Sequence, residues 1–213
     1  GAKAKTFSDN ETVMIIGGNM AVAHLLSVAP ALKAANGRLI FVACFDDPKT
    51  IFVRAELESV ADSIIWITKD KAALTDKRDQ DYVFDIDIVS ALREYALMEE
   101  QALVPMKAID RVMMVGSSSL IRTIQQGRGG MLKPYFRANT AFLASVYGPM
   151  QCMMKGVCAQ CLQWQVDPKT GERTKAVYAC SWQNQPLDMI DVHNIDERLA
   201  QNKTQEILSN LWL

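Results

Sequence analysis

Four of the five cysteines in this 213-residue chain fall between Cys152 and Cys180, spaced Cys152-x5-Cys158-x2-Cys161-x18-Cys180. The C-x2-C pair sets two thiolates within reach of one metal, and Cys152 and Cys180 can close the coordination shell. Two groups fit this donor set: zinc held tetrahedrally by four thiolates, or a 2Fe–2S cluster with two cysteines on each iron. Zinc ribbons usually carry two short C-x2-C knuckles, whereas here Cys180 stands alone and Cys152 is far from Cys158. Plant-type 2Fe–2S sites space their first three ligands as C-x4-C-x2-C with a distant fourth, one residue shorter in the first gap than this chain. Spacing therefore favours iron–sulfur and leaves zinc open. Met153 and Met154 are placed to shield such a group from water. Cys44, inside an apolar run, reads as core.

A second set of residues points to a phosphate-bearing ligand. Gly17-Gly18-Asn19-Met20-Ala21 follows an apolar run and opens a helical pattern. Two glycines let backbone approach a pyrophosphate, and a helix N-terminus supplies amide donors and a favourable dipole. The alternative is a tight strand-to-helix turn with no ligand, since the motif is not a full GxGxxG. Asp46 and Asp47 follow the next apolar run. An acid at that place accepts from ribose hydroxyls and repels a 2′-phosphate, so NAD is expected over NADP. Asp47 can equally cap the helical stretch opened by Pro48, leaving Asp46 for the ligand. Gly116, Ser117 and Ser118 end a further apolar run, as small residues that give a ring or phosphate room against backbone, or as a helix cap. His24 and His193 are the only histidines. They are far apart and form no nucleophilic or metal-binding arrangement, so no catalytic residue is assigned.

The elements that must position these residues alternate along the chain. Short apolar runs lie at 12–16, 38–45, 63–68, 112–115 and 140–146, with helical patterns at about 19–35, 48–61, 85–103 and 118–127 between them. Pro30 is expected to kink or interrupt the first helix. The charged stretch 69–81 reads as solvated loop. Five strands separated by helices imply an α/β fold, a doubly wound parallel five-stranded sheet with right-handed crossovers. Residues 10–147 would be a nucleotide-binding domain, 148–190 a small cysteine-rich metal-binding appendage, and 191–213 a C-terminal helix, with Asn194 and Glu197 as its capping box. Twenty-three basic against 24 acidic residues give a net charge of −1, which supplies no excess for nucleic acid. No apolar run approaches the ~20 residues that span a bilayer. The opening residues lack a signal-peptide hydrophobic region, so a cytoplasmic location is expected.

Val13 to His24, Ala61 to Asp70 and Val112 to Leu120 resemble the pyridine-nucleotide half of the ferredoxin–NADP reductase family. The most similar branch is that of the dihydroorotate dehydrogenase electron-transfer subunit, the sulfide dehydrogenase small subunit and NADH-dependent ferredoxin:NADP oxidoreductase. In that branch the last strand runs into a cysteine-rich 2Fe–2S segment, as Ala144 to Cys161 does here. Gly156-Val157-Cys158-Ala159-Gln160-Cys161 matches its G-x-C-x-x-C ending, and its fourth ligand corresponds to Cys180. The same segment is similar to those fused within large bacterial FAD-dependent pyridine-nucleotide oxidoreductases. Departures are Asn19 for the third loop glycine, His24 for a helix proline, and Ser117 for a Gly-Pro step.

The resemblance implies an electron-transfer module that binds NAD(H) and carries single electrons through the cluster to a downstream acceptor. The family's flavin-binding β-barrel, with its Arg-x-Tyr-Ser/Thr signature, has no counterpart within these 213 residues. FAD is accordingly expected from a partner subunit or a missing domain, with the chain as a fragment of a larger oxidoreductase that is not active alone. A module of another class stays open: zinc on the same thiolates bracing an interaction surface beside a vestigial nucleotide site.

Overall fold

The computed structural model describes residues 6–51, 53–146, 161–179 and 181–211, without the side chains of 201–206, 209 and 210. Alternation along the strands builds its core. In β1 (Thr12–Gly17), Val13 and Ile15 face one side of the sheet and Met14 and Ile16 the other. Every one of them is fully buried, as a strand covered on both faces requires. β2 (Arg38–Cys44), β3 (Ser63–Ile67) and β5 (Arg111–Gly116) repeat the pattern. One face packs on α1 (Asn19–Ala34) and α2 (Arg54–Val60) through Leu25, Leu32 and Leu57. The other packs on α3 (Ile88–Leu97) and α4 (Ser118–Gly129) through Leu92, Tyr95, Ile121 and Ile124.

The main sheet has seven strands in the order β4-β3-β2-β1-β5-β6-β9, where β4 is Tyr82–Phe84, β6 is Ala141–Val146 and β9 is Gln185–Pro186. The first six are parallel, and β9 pairs antiparallel with β6. This corrects the expected five-stranded sheet. β4 is three half-buried residues at an edge, too short to register as an apolar run, and β9 contains a proline, which an outermost strand tolerates. Chain order reverses between β1 and β5, so the topological switch point lies there.

Three further expectations change. The stretch 48–61 is not one helix: Pro48–Thr50 makes a single 3-10 turn and α2 starts only at Arg54. Pro30 neither ends nor interrupts α1; its ring lies on the exposed side of the helix. Stretch 69–81 is not simply solvated. The fully buried Asp81 carboxylate accepts from the Ile64 amide at 2.8 Å and from Arg78 Nη2 at 2.8 Å. Arg78 Nη1 in turn donates to the carbonyls of Glu58 and Ala61, tying loop, α2 and β3 together.

After β6, a two-stranded hairpin of β7 (Leu162–Val166) and β8 (Arg173–Tyr178) precedes β9, and α5 (Val192–Asn210) follows. α5 begins earlier than the capping box predicts. Asp191 Oδ1 accepts from the Asn194 amide at 2.9 Å, so Asp191 is the cap and Asn194 lies in the first turn. α4 anchors this C-terminal part: Gln125 Nε2 donates to the carbonyls of Leu187 (2.7 Å) and Ile190 (3.1 Å), and Arg122 and Arg128 pair with Asp196 and Asp188. No helix among the described residues is long and apolar enough to cross a membrane.

Candidate functional site

Gly17, the last residue of β1, has φ +150°, a conformation L side chains rarely adopt. A Cβ there would lie 2.3 Å from the Val115 carbonyl oxygen and 2.7 Å from the Ala21 Cβ. The close approach of loop to β5 therefore needs both a glycine at 17 and a small residue at 21. Gly18 is the N-cap of α1 and offers no side-chain cap; its carbonyl accepts from Ala21 and Val22. The Asn19 and Met20 amides then have no carbonyl a turn earlier within the helix. With no acidic residue in the first turn, the positive end of the α1 dipole is left uncompensated.

Gly116 ends β5 on the other side of the switch point, and its bare Cα accommodates Leu120, whose Cδ2 would be 2.7 Å from an added Cβ. Ser117 differs from Gly18 in capping its own helix: Oγ accepts from the Leu120 amide at 3.3 Å. Ser118 is buried in the first turn of α4. Gly17, Gly18, Asn19 and Ala21 thus share one edge of the sheet with Gly116, Ser117 and Ser118, at two helix N-termini flanking the crevice.

Asp46 follows β2 at the same edge. Its carboxylate is 92% exposed and 3.9 Å from Lys69 Nζ. Asp47 is committed elsewhere, with Oδ1 accepting from the Lys49 amide at 2.9 Å as the cap of the 3-10 turn. A cavity of about 290 Å³ lies beyond β2 and β3, lined by Asp46, Thr68, Lys69, Asp85 and Asp87. Hydrogen bonds from Ser90 hold the Asp87 carboxyl below the usual carboxylate range as it caps α3. A larger cleft of about 650 Å³, lined by Arg128, Lys133, Arg137 and Phe142 among others, opens toward the start of β6 and the end of α4, away from the glycine edge. Cys44 is partly buried and packs against the core, and desolvation pushes its thiol up to about 12. His193 is exposed, 3.2 Å from Glu197, and His24 is half-buried on α1.

Of the four clustered cysteines, Cys161 is described; Cys152, Cys158 and Cys180, with Met153 and Met154, lie outside the described residues. Cys161 is 6% exposed and precedes β7, and its carbonyl accepts from the Ala179 amide at 3.0 Å. The hairpin register thus sets Cys161 opposite the residue immediately before Cys180. Behind Cys161 sits a feature that sequence reading missed. Gln163, Gln165 and Gln185 are fully buried, and their amides form a chain: Gln165 Nε2 to Gln185 Oε1 (3.0 Å), and Gln185 Nε2 to Gln163 Oε1 (2.6 Å).

Comparison with known proteins bears on the fold. The chain resembles a chain of the NADH-dependent reduced ferredoxin–NADP oxidoreductase described for flavin-based electron bifurcation, with a TM-score of 0.65 at 17% identity over 97% of this chain and 64% of that one. The chain therefore has a ferredoxin reductase-like α/β fold. The C-terminal domain of a hydrogenase from Pyrococcus furiosus matches at a TM-score of only 0.35. No family model matches the sequence. An uncharacterized protein of Rickettsia prowazekii (strain Madrid E) is 44% identical over 75 residues, which are 35% of this chain and 10% of that protein. The chain thus aligns with about a tenth of the curated relative and just under two thirds of the similar solved chain.

Proposed function

We propose that this chain is the nucleotide-binding and electron-carrying part of a flavin-dependent oxidoreductase. NAD(H) lies across the β1/β5 crevice, its pyrophosphate against Gly17, Gly18 and the first amides of α1, and its ribose toward Asp46. The observation that carries the reading is the Gly17 cradle beside the uncapped α1 N-terminus, set at the switch point. Backbone approach without a Cβ and aligned free N–H groups are what a diphosphate needs.

Cys152, Cys158, Cys161 and Cys180 hold a 2Fe–2S cluster. The burial of Cys161 and the pairing of Ala179 with it support a shared group at that end of the hairpin. NADH gives up two electrons as hydride and such a cluster takes one at a time, so a flavin, which can do both, is supplied by a further domain or a partner subunit. The chain's own residues bind and orient the nucleotide and keep Cys161 from water.

Anaerobic purification, followed by a visible spectrum and iron, sulfide and zinc analysis, tests the cluster. Two irons and two labile sulfides per chain are expected. A colourless protein with one zinc and no labile sulfide overturns the iron–sulfur assignment and favours a zinc-braced module. Calorimetry with NADH tests the crevice separately; no binding at millimolar nucleotide overturns that half.

A further inference from the structure

The cleft of about 650 Å³ lies apart from the nucleotide crevice, at the opposite end of the strands. It opens between the last turn of α4, the first residues of β6 and the hairpin turn 167–171. Its floor is apolar. Phe136, Phe142, Val166 and Ile190 line it, with Phe136 set edge-on to Phe142 at 4.9 Å. Concave, largely apolar space of this size with a few convergent polar groups is the usual form of a small-molecule site.

The polar groups are sorted by wall. The cations Arg128, Lys133 and Arg137 come from α4 and the segment after it; the acids Asp167 and Asp188 come from the hairpin turn and the segment after β9. Asp188 is matched by Arg128, and Asp167 Oδ1 accepts from the Lys169 amide at 2.7 Å. Arg137 uses Nη2, on Asp110 and the Ala108 carbonyl, leaving the rest of its five-donor fork for a ligand. Lys133 is exposed and, among the described residues, makes no ion pair. The lining thus keeps one positive charge in excess, on the side of Lys133 and Arg137.

A helix C-terminus ordinarily repels an anion. Here its carbonyls are answered: the Gly130 amide donates to Gln126 and Gly127, the Leu132 amide to Gly127, and Arg128 stands in the last turn. The Arg128 guanidinium lies 4.3 Å from the Phe142 ring centroid. A guanidinium plane stacks on flat rings, and its fork matches a carboxylate.

We infer that this cleft binds a small molecule with a flat apolar body and a single carboxylate. The body packs against Arg128 and the Phe136–Phe142 floor, and the carboxylate bridges Lys133 Nζ and Arg137. One surplus charge suits a monoanion, whereas a phosphate dianion would bring an unmatched charge beside Asp167 and Asp188. The site is separate from the nucleotide crevice and does not rest on it.

The probe is 2-naphthoate, titrated calorimetrically into the 213-residue chain with and without saturating NADH. A Kd on the order of 1 mM or tighter is expected, unchanged by NADH. Neutral 2-naphthamide and dianionic 2-naphthyl phosphate should each bind about tenfold more weakly. Lys133→Gln removes the unpaired charge and should weaken 2-naphthoate about tenfold. Gly129→Leu fills the cleft, since no atom lies within 4 Å of a Cβ at that position, and should abolish binding. Both positions are exposed, so both variants should fold. No binding at about 10 mM, displacement by NADH, equal affinity for the amide or the phosphate, or full affinity in either variant overturns the inference.

Discussion

The Val115 carbonyl oxygen stands 2.3 Å from the point where a Cβ on Gly17 would lie. β5 therefore limits what β1 can end on, and the limit falls at the switch point. Gly17→Ala must push the loop away from β5 and hold an alanine at φ +150°. Overpacking and a strained φ each cost about 1–3 kcal/mol. The urea midpoint should fall by the equivalent of about 3 kcal/mol at unchanged slope. NADH affinity, measured where the variant is still folded, should drop about tenfold. An unchanged midpoint would mean the loop relaxes freely and Gly17 is not a fixed cradle.

Asp81 is the buried charge on which the 69–81 segment turns. Its carboxylate serves Arg78 and the Ile64 amide at once, and Arg78 satisfies two carbonyls at the end of α2. Asp81→Ala leaves the guanidinium unpaired in a partly buried site, at a cost of about 3–5 kcal/mol. Asp76→Ala should cost less than about 1 kcal/mol, because that carboxylate pairs with Arg54 in solvent. Chemical denaturation of the two variants side by side checks the contrast; equal losses would refute it.

The long elements were legible because their signals are strong. β1, β2, β3 and β5 are apolar and buried on both faces, β6 on one, and the helices between them carry 3–4 spacing. β4 was not, since Tyr82, Val83 and Phe84 are held by one ladder to β3 and have no periodicity of their own. β7 was unreadable for another reason. Alternation in Leu162-Gln163-Trp164-Gln165-Val166 predicts apolar residues inward, yet the glutamines are buried and Trp164 lies half-exposed beside the Arg173 guanidinium. Gln185 makes that face possible by bonding one amide atom of each neighbour, and a partner 20 residues or more away leaves no local trace. The glycine edge was readable for the opposite reason: Gly17 and Gly116 answer to backbone sterics at strand ends, which small residues advertise directly.

Burial pushes the Cys44 thiol up from 9.0 to about 12, so the folded state favours the neutral form. A group raised in the folded state contributes stability that is complete below its unfolded value and is lost as pH climbs toward the folded one. Stability should thus decline from about pH 9 toward 12, at up to ~1.4 kcal/mol per pH unit from this thiol. Tyr95, raised by burial and then by Tyr82, adds to the fall at the upper end. Cys44→Ala should flatten the slope between pH 9 and 11 while lowering stability at pH 7. Urea midpoints across that range decide it, and an identical slope in both proteins would sink the assignment.

Asp46 and Asp47 are adjacent but not equivalent, and nucleotide choice should follow the difference. The Asp47 carboxylate is held by the Lys49 amide, whereas that of Asp46 has only a distant, exposed lysine at 3.9 Å. Such a pair is worth about 0–1 kcal/mol, so the Asp46 carboxylate is available to ribose hydroxyls and repels a 2′-phosphate. Calorimetry should find NADH bound at least about tenfold more tightly than NADPH, a gap of ~1.4 kcal/mol. Asp46→Arg should reverse the order, because a guanidinium accommodates a phosphate. Asp47→Ser retains a capping oxygen and should leave the preference as it was. Tighter binding of NADPH by the unaltered protein, or a reversal produced by Asp47→Ser, would remove Asp46 from the ribose end and shift the nucleotide along the sheet edge.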